Sequence, residues 1–289
     1  LKQKAYAKIN LGLDIVGLRE GDGYHLLRMV MQTLKLCDFV TVESVPGKSG
    51  IQTHTDNADI PDDKHNLAYR AAALLAEEFH IEDGIDITIE KKIPAEAGLA
   101  GGSTDAAAVL RAVNEVFGLG LTAEELMERG VRLGADVPYC IVGGTKLAEG
   151  IGEKLTEVDP PLRECGVLLV KPPEGASTQE VYRDYDRSEH SYHPDIDGIL
   201  TAIRTDDYDS VCRLLGNVLE DVTIPKVPVI GEIKKFLQKE GADGVLMSGS
   251  GSTVFALFGN KDRLAEAAKA AKAEFPDAAV IQTETISNI

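Results

Sequence analysis

Between Gly84 and Phe117 the chain sets an alternating segment, a glycine-rich loop and an alanine-rich segment end to end. Gly84 to Glu90 (GIDITIE) puts Ile85, Ile87 and Ile89 on one side of a predicted strand. Pro94-Ala95-Glu96-Ala97-Gly98-Leu99-Ala100-Gly101-Gly102-Ser103-Thr104-Asp105 follows, and a helix is expected from about Thr104 to Phe117. Gly98, Gly101 and Gly102 lack a Cβ, so the backbone can turn tightly and come close to a ligand. Successive N–H groups can then point inward as an anion nest. The first N–H groups and the dipole of the helix favour a phosphate at its start. Ser103 and Thr104 supply hydroxyls, either as donors to that phosphate or as an N-cap. Three glycines in five residues with two hydroxyls behind them exceed what a cap requires, so a phosphate loop is the expectation. Ala106, Ala107 and Ala108 keep the first turns slim.

Several familiar phosphate sites are excluded. Gly47-Lys48-Ser49 is the only GKS, and Val42 stands where a Walker A loop needs its first glycine. Gly249 and Gly251 are followed by Val254 rather than the third glycine of a dinucleotide fingerprint. The HRD and DFG motifs of protein kinases are missing from the sequence.

Upstream, Ala5, Ala7, Ile9, Leu11, Leu13 and Ile15 share one face of a predicted strand. Lys4, Tyr6, Lys8, Asn10, Gly12 and Asp14 share the other, which on spacing alone reads as a solvated sheet face. A turn is expected at Arg19–His25, strands at 29–34, 39–45 and 50–54, and a helix from Asn66 to His80. Thr122 and Glu125 form a capping box opening a helix to about Leu133. Gly134 to Pro138 breaks that helix, and a hairpin is expected after it. Beyond Asp159-Pro160-Pro161 come a buried strand at 166–170 and helices near 177–184, 195–204, 206–215, 228–240 and 261–274. Two strands then flank the turn Ser248-Gly249-Ser250-Gly251, and a last strand covers 278–283. Strand groups and helix groups do not alternate regularly, which favours an α+β chain over a doubly wound sheet. Domains are expected at 1–158 and 159–289.

Phosphoryl transfer also needs an acceptor hydroxyl held in line and a group to take its proton. Asp136, in the break after the capped helix, is a candidate base, although alone it reads equally well as a helix-end turn residue. Lys8 is its candidate partner: a nearby ammonium keeps a carboxylate ionised and stabilises a developing alkoxide.

The formal net charge of -17 excludes a general nucleic-acid binder. It does not exclude a phosphate site built from local donors, because screening acts over ~8 Å at physiological salt. No apolar run reaches the ~18 residues of a membrane helix, and Lys2 and Lys4 lead into the alternating pattern without the apolar core of a signal peptide. Cys37, Cys140, Cys165 and Cys212 are far apart, which reads as free thiols in a reducing cytoplasm. His190 and His193 are read as part of a polar loop rather than a metal site.

The loop, with Ser248-Gly-Ser-Gly-Ser-Thr253 near the C-terminus, resembles the GHMP kinase superfamily, whose hallmark is P-x3-G-L-G-S-S-A-A. Ala100 replaces one glycine here, and the loop is one residue longer before its serine. Ala7-Lys8-Ile9-Asn10-Leu11, Asp22-Gly23-Tyr24-His25 and Leu133-Gly-Ala-Asp-Val-Pro138 narrow the resemblance to the branch that phosphorylates a cytidine diphosphate-linked methylerythritol for isoprenoid synthesis. The resemblance implies a ribosomal-protein-S5-like N-terminal domain and a ferredoxin-like C-terminal domain. It implies ATP as phosphoryl donor, Mg²⁺ through the reaction class with ligands that no motif identifies, and a monomer or homodimer.

By position Lys8 and Asp136 match the family's catalytic pair and Asn10 a substrate contact. Tyr24, His25, Thr178 and Tyr182 match the cytidine site, although Gln179 stands where some relatives carry Pro. Ser248, Gly249, Ser250 and Gly251 close on the acceptor. Pro94 through Thr104 match the triphosphate loop, and Asn66 and Lys91 fall near the adenine and ribose. Asp105 stands where some relatives carry Asn; its charge can serve Mg²⁺ or favour the helix dipole.

Overall fold

The computed structural model describes residues 1–188 and 192–289. In chain order the elements begin with β1 (Lys2–Leu18), β2 (His25–Val45), β3 (Ile51–Thr55), α1 (Leu67–Glu78) and β4 (Gly84–Glu90). There follow α2 (Gly101–Val116), α3 (Ala123–Val131), α4 (Val137–Val142), β5 (Thr145–Gly150), β6 (Lys154–Glu157) and β7 (Gly166–Lys171). The remainder is α5 (Thr178–Tyr185), α6 (Ile196–Arg204), α7 (Tyr208–Leu214), β8 (Gly216–Asn217), α8 (Glu220–Lys226), α9 (Val229–Lys239), β9 (Gly244–Met247), β10 (Val254–Phe258), α10 (Lys261–Glu274) and β11 (Ala279–Glu284). The fold class is α+β, as expected.

The chain divides into two units. The first holds Leu1–Ala7, Leu36–Ala95 and Ala100–Gly143. In it β2 pairs antiparallel with β4 from Phe39↔Glu90 to Val45↔Gly84. β4 pairs parallel with β3, Ile51 opposite Ile85. Ile85, Ile87, Ile89, Val40 and Val42 are buried, as period-two alternation requires of a sheet with one covered face. α1 packs along α2, and α2 along α3 and α4. The inward residues of α1 are Ala68, Ala71, Ala72 and Leu75. Thr122 and Glu125 complete the expected capping box of α3.

The second unit holds Lys8–Lys35, Glu96–Leu99 and Gly144–Ile289. Here β2 pairs antiparallel with β5, Leu27 opposite Gly150, and β5 pairs with β6 in the predicted hairpin. β1 pairs parallel with the two-residue β8, Gly12↔Gly216 and Leu13↔Asn217. A separate antiparallel sheet runs β11-β7-β10-β9, covered by α9 and α10. Val167 to Val170 and Val254 to Phe258 form its buried centre.

Four expectations change. The predicted break between 34 and 39 is not a turn: β2 runs through it, and Asp38 is fully buried rather than solvated. Three donors reach its carboxylate, which removes the cost of burying it. The polar face of β1 is not solvated either, since Lys8, Asn10 and Asp14 are all buried. α2 starts at Gly101, three residues early, and its first turn contains two glycines. The short helices α4 and α8 were not expected: α4 carries Pro138 in its first turn, where a missing N–H costs nothing, and α8 contains Pro225.

Candidate active site

Lys8 and Asn10 are two apart on β1, so their side chains leave the same face. The Lys8 ammonium donates to Asn10 Oδ1 at 2.8 Å and to the Gly98 carbonyl at 3.2 Å. The Lys8 backbone N–H donates to the Leu99 carbonyl at 3.2 Å. Asn10 Nδ2 in turn contacts the Met29 sulfur at 3.4 Å. A buried ammonium needs such acceptors, because transfer out of water without them is prohibitive.

The Gly98 carbonyl is a shared acceptor. Besides Lys8 it takes the Ser248 hydroxyl at 2.9 Å. Gly98 has φ +70°, and a Cβ on it would lie 2.0 Å from the Ser248 carbonyl oxygen. Only glycine allows that approach. Residues 248–251 are locked from behind. Asn217 Nδ2 donates to the carbonyls of Met247 and Gly249 at 2.9 and 2.8 Å. Thr223 donates to the Ser250 carbonyl, and the Ser250 and Thr178 hydroxyls meet at 2.9 Å. Gly249 lies against Gly98, and a Cβ on Gly251 would meet the Met247 sulfur at 2.8 Å. Of the preceding loop residues, Ala97 and Leu99 are buried, Pro94 and Ala100 half-buried, and Ala95 and Glu96 exposed. The Glu96 carboxylate rests against Gly175.

In the first unit α2 begins after Ala100, whose φ is 60°, with no side-chain cap. The orphan N–H groups of a helix start are therefore not satisfied by a capping hydroxyl. Thr104 is buried and donates to the Tyr6 carbonyl at 2.8 Å, while Ser103 stays half-exposed and near Gly134. Gly102 faces Leu67 of α1. Asn66 caps α1 by accepting from Ala68 N at 2.8 Å and donates to the Pro61 carbonyl at 2.7 Å. Asp136 is half-buried at the start of α4 and makes no side-chain cap there.

The two partners of Lys91 went unread in the sequence. Its ammonium lies 2.5 Å from Asp38 Oδ2 and 2.6 Å from Asp105 Oδ2, and all three side chains are nearly or fully buried. Burial pulls Lys91 down, but Asp105 and Asp38 outweigh it and raise its pKa above the ordinary value. Burial pushes the Asp105 carboxyl up to about 7 despite the ammonium. Asp38 carried no sequence motif, and its buried position inside a polar stretch of β2 could not be read from periodicity.

At the far end of β1 the turn is pinned by Arg19, which donates to Asp22 through Nε at 3.0 Å and Nη2 at 2.5 Å. The guanidinium lies 5.1 Å from the centroid of the exposed Tyr24 ring. His25 Nε2 bonds Asp186 Oδ1 at 2.7 Å. Its ring sits 4.8 Å from that of Tyr182 and 6.4 Å, edge-on, from that of Tyr185. Asp186 and Tyr185 were not singled out in the sequence; the pattern of α5 alone gives no reason to look for a histidine partner. His193 Nδ1 bonds Asp14 at 2.8 Å, and His190 lies outside the described residues.

Lys8, Asn10, His25, Gly98, Thr178, Tyr182 and residues 248–251 thus fall in the second unit, and Asn66, Lys91, Gly101–Thr104 and Asp136 in the first. Among the described residues no three His, Cys, Asp or Glu side chains converge to hold a metal ion.

Residues 66–144 match the GHMP kinases N terminal domain, and residues 199–277 the GHMP kinases C terminal. The 4-diphosphocytidyl-2-C-methyl-D-erythritol kinase of Geobacillus thermodenitrificans is 49% identical over 264 residues, covering 91% of this chain and 90% of its own. The enzyme of the same name from Clostridium perfringens is 46% identical over 288 residues, covering 100% and 99%. A crystal structure of 4-(cytidine 5'-diphospho)-2C-methyl-D-erythritol kinase superposes with a TM-score of 0.81 at 33% identity, over 99% of this chain and 100% of that one. The L. major mevalonate kinase structure, at 20% identity and a TM-score of 0.78, shares the fold. Sequence, fold and the loop built around Gly98 agree, and the chain belongs to the GHMP kinase family, in the branch of the 4-diphosphocytidyl-2-C-methyl-D-erythritol kinases.

Proposed function

We propose that this kinase transfers the γ-phosphoryl group of ATP to the 2-hydroxyl of 4-diphosphocytidyl-2-C-methyl-D-erythritol, a step of non-mevalonate isoprenoid precursor synthesis. In this reading Asp136 takes the hydroxyl proton while the acceptor oxygen bonds to γ-phosphorus and the bond to ADP breaks. Lys8, held by Asn10 and Gly98, steadies the charge that grows on that oxygen. The segment from Pro94 to Thr104 holds the triphosphate, with the uncapped start of α2 as its anchor, and Asn66 and Lys91 belong to the ATP side. Residues 248–251 and Asn10 border the acceptor.

The cytosine is assigned to Tyr24, His25, Tyr182 and Thr178. The Asp186 carboxylate favours a proton on His25 Nε2, which leaves Nδ1 as an acceptor for the cytosine amine. Mg²⁺ accompanies ATP in this reaction class. The buried Asp105 is a poor ligand for it, because an ammonium already occupies one of its oxygens. Four free thiols suit a reducing cytoplasm, and no helix among the described residues is long and apolar enough to cross a membrane.

The observation that carries the assignment of roles is the Gly98 carbonyl, which joins the phosphate loop to the Lys8 ammonium and to the turn at Ser248. The test is ATP turnover with the diphosphocytidyl substrate against the same alcohol lacking cytidine. A strong preference for the cytidine-bearing substrate is expected; equal turnover would overturn the roles of His25 and Tyr182.

A further inference from the structure

We propose that Asp38 and Asp105 are positioning residues for ATP, holding the Lys91 ammonium beneath the first turn of α2. The inference rests on the reading of that turn as the phosphate anchor.

Three observations carry it. First, the Lys91 ammonium is bonded by both carboxylates and lies close to Gly101: a Cβ there would be 3.5 Å from Lys91 Nζ and 3.3 Å from Ile93 Cγ2. The start of α2 therefore lies within contact distance of that charge. Second, Asp38 fixes the chain that enters the loop, accepting the N–H groups of Lys92 at 2.5 Å and Ile93 at 2.8 Å on its other oxygen. One carboxylate therefore sets both the backbone before the loop and the cation below it. Third, Asp105 Oδ1 is buried without a hydrogen-bond partner. Such an atom costs stability, and an apolar residue would avoid the cost.

The asymmetry between the two carboxylates has a consequence for nucleotide binding. Asp38 is saturated with donors, while Asp105 has one and an orphaned oxygen, so the proton goes to Asp105. With Asp105 neutral, Lys91 and Asp38 balance. With Asp105 ionised, the cluster carries one net negative charge beneath the turn read as the phosphate anchor, in a medium that screens poorly. ATP binding accordingly favours the protonated form.

Lys91 and Asp38 are the charged groups acting on Asp105. The buried residues of α1, α3 and α4, packed along α2, include no carboxylate, ammonium or imidazole. Arg111 of α2 is engaged by the carbonyls of Cys140, Ile141 and Lys4.

The experiment measures binding of a non-hydrolysable ATP analogue by calorimetry from about pH 6 to about pH 8.5, for wild type, Asp105→Asn, Lys91→Met and Lys91→Arg, with kcat and both KM values. Wild-type affinity should fall by about three- to tenfold more over that range than the affinity of Asp105→Asn. Lys91→Met should raise the ATP KM by about tenfold with the acceptor KM unmoved, and Lys91→Arg should recover part of it. Thermal melts identify any variant that fails to fold, and Asp105→Asn, nearly isosteric, keeps the pH comparison available. Failure of the wild type to bind the analogue would remove the phosphate-loop reading itself. If wild type binds, but Asp105→Asn follows it at every pH and Lys91→Met binds equally well, the positioning role is wrong.

Discussion

The Cα of Gly98 is pressed against the carbonyl group of Ser248, so closely that a Cβ there would lie 2.0 Å from the carbonyl oxygen. The oxygen is backbone and the Cβ is fixed rigidly at Cα, so neither can rotate away. Gly98→Ala must therefore displace the loop, the turn or both, and φ +70° adds strain of its own. The expected result is a stability loss of about 2–3 kcal/mol and a fall in kcat/KM of about 100-fold or more. Gly118→Ala is the control: its φ is +61°, but nothing lies within 4 Å of the added Cβ, so only about 1–2 kcal/mol of backbone strain applies. Urea titration and turnover of the pair separate the clash from the strain.

Asp136→Asn should lower kcat by about 1000-fold while the ATP dissociation constant stays within about threefold, because a general base acts only as the proton leaves. Single-turnover kinetics with a binding assay check both halves. Wild-type-like turnover would remove Asp136 from the chemistry.

Much of this was legible from the order of residues, and what was not has a physical cause. Local signals worked where one residue's fate depends on near neighbours: the capping box at Thr122 and Glu125, the hairpin at β5 and β6, and the strand–loop–helix around Gly98. They failed where a polar residue is satisfied from far along the chain. Asp38 is paired with Lys91, 53 residues away, so Lys35 to Asp38 reads as a break although the strand continues. The same holds for Lys8, whose partner carbonyl on Gly98 is 90 residues away, and for His25, whose partner Asp186 is 161 away. The glycines of the loop raised the expectation of a phosphate site; the reason for Gly98 in particular, the carbonyl of Ser248, appears only when the chain is folded.

His25 and Asp186 give a prediction that separates the acceptor from the nucleotide. If Asp186 fixes the imidazole tautomer, Asp186→Asn should raise the acceptor KM by about five- to tenfold and leave the ATP KM unchanged. His25→Ala should cost more, and the double variant no more than His25→Ala, since the carboxylate acts through the ring. Additive losses in the double variant would mean that Asp186 contacts the substrate on its own.

The buried Asp105 predicts the shape of the stability curve. Burial pushes its carboxyl up to about 7 in the folded protein, from an ordinary value of 3.8. Between those values the folded state holds a proton that the unfolded chain has released. Folding stability therefore falls as pH rises from about 4 to about 7 and levels off above, by on the order of a few kcal/mol at most. Lys91, raised above its ordinary value by the same cluster, keeps its proton throughout that window and adds no slope of its own. Asp105→Asn removes the titration without changing the side-chain shape. Relative to wild type it should gain stability near pH 8 and lose that advantage toward about pH 5, where Asp105 is itself neutral. Urea midpoints for the two proteins across this range provide the check, because titrating groups distant from Asp105 are common to both and cancel in the difference. Parallel curves would mean that Asp105 is ionised throughout and that its unpartnered oxygen has found a donor.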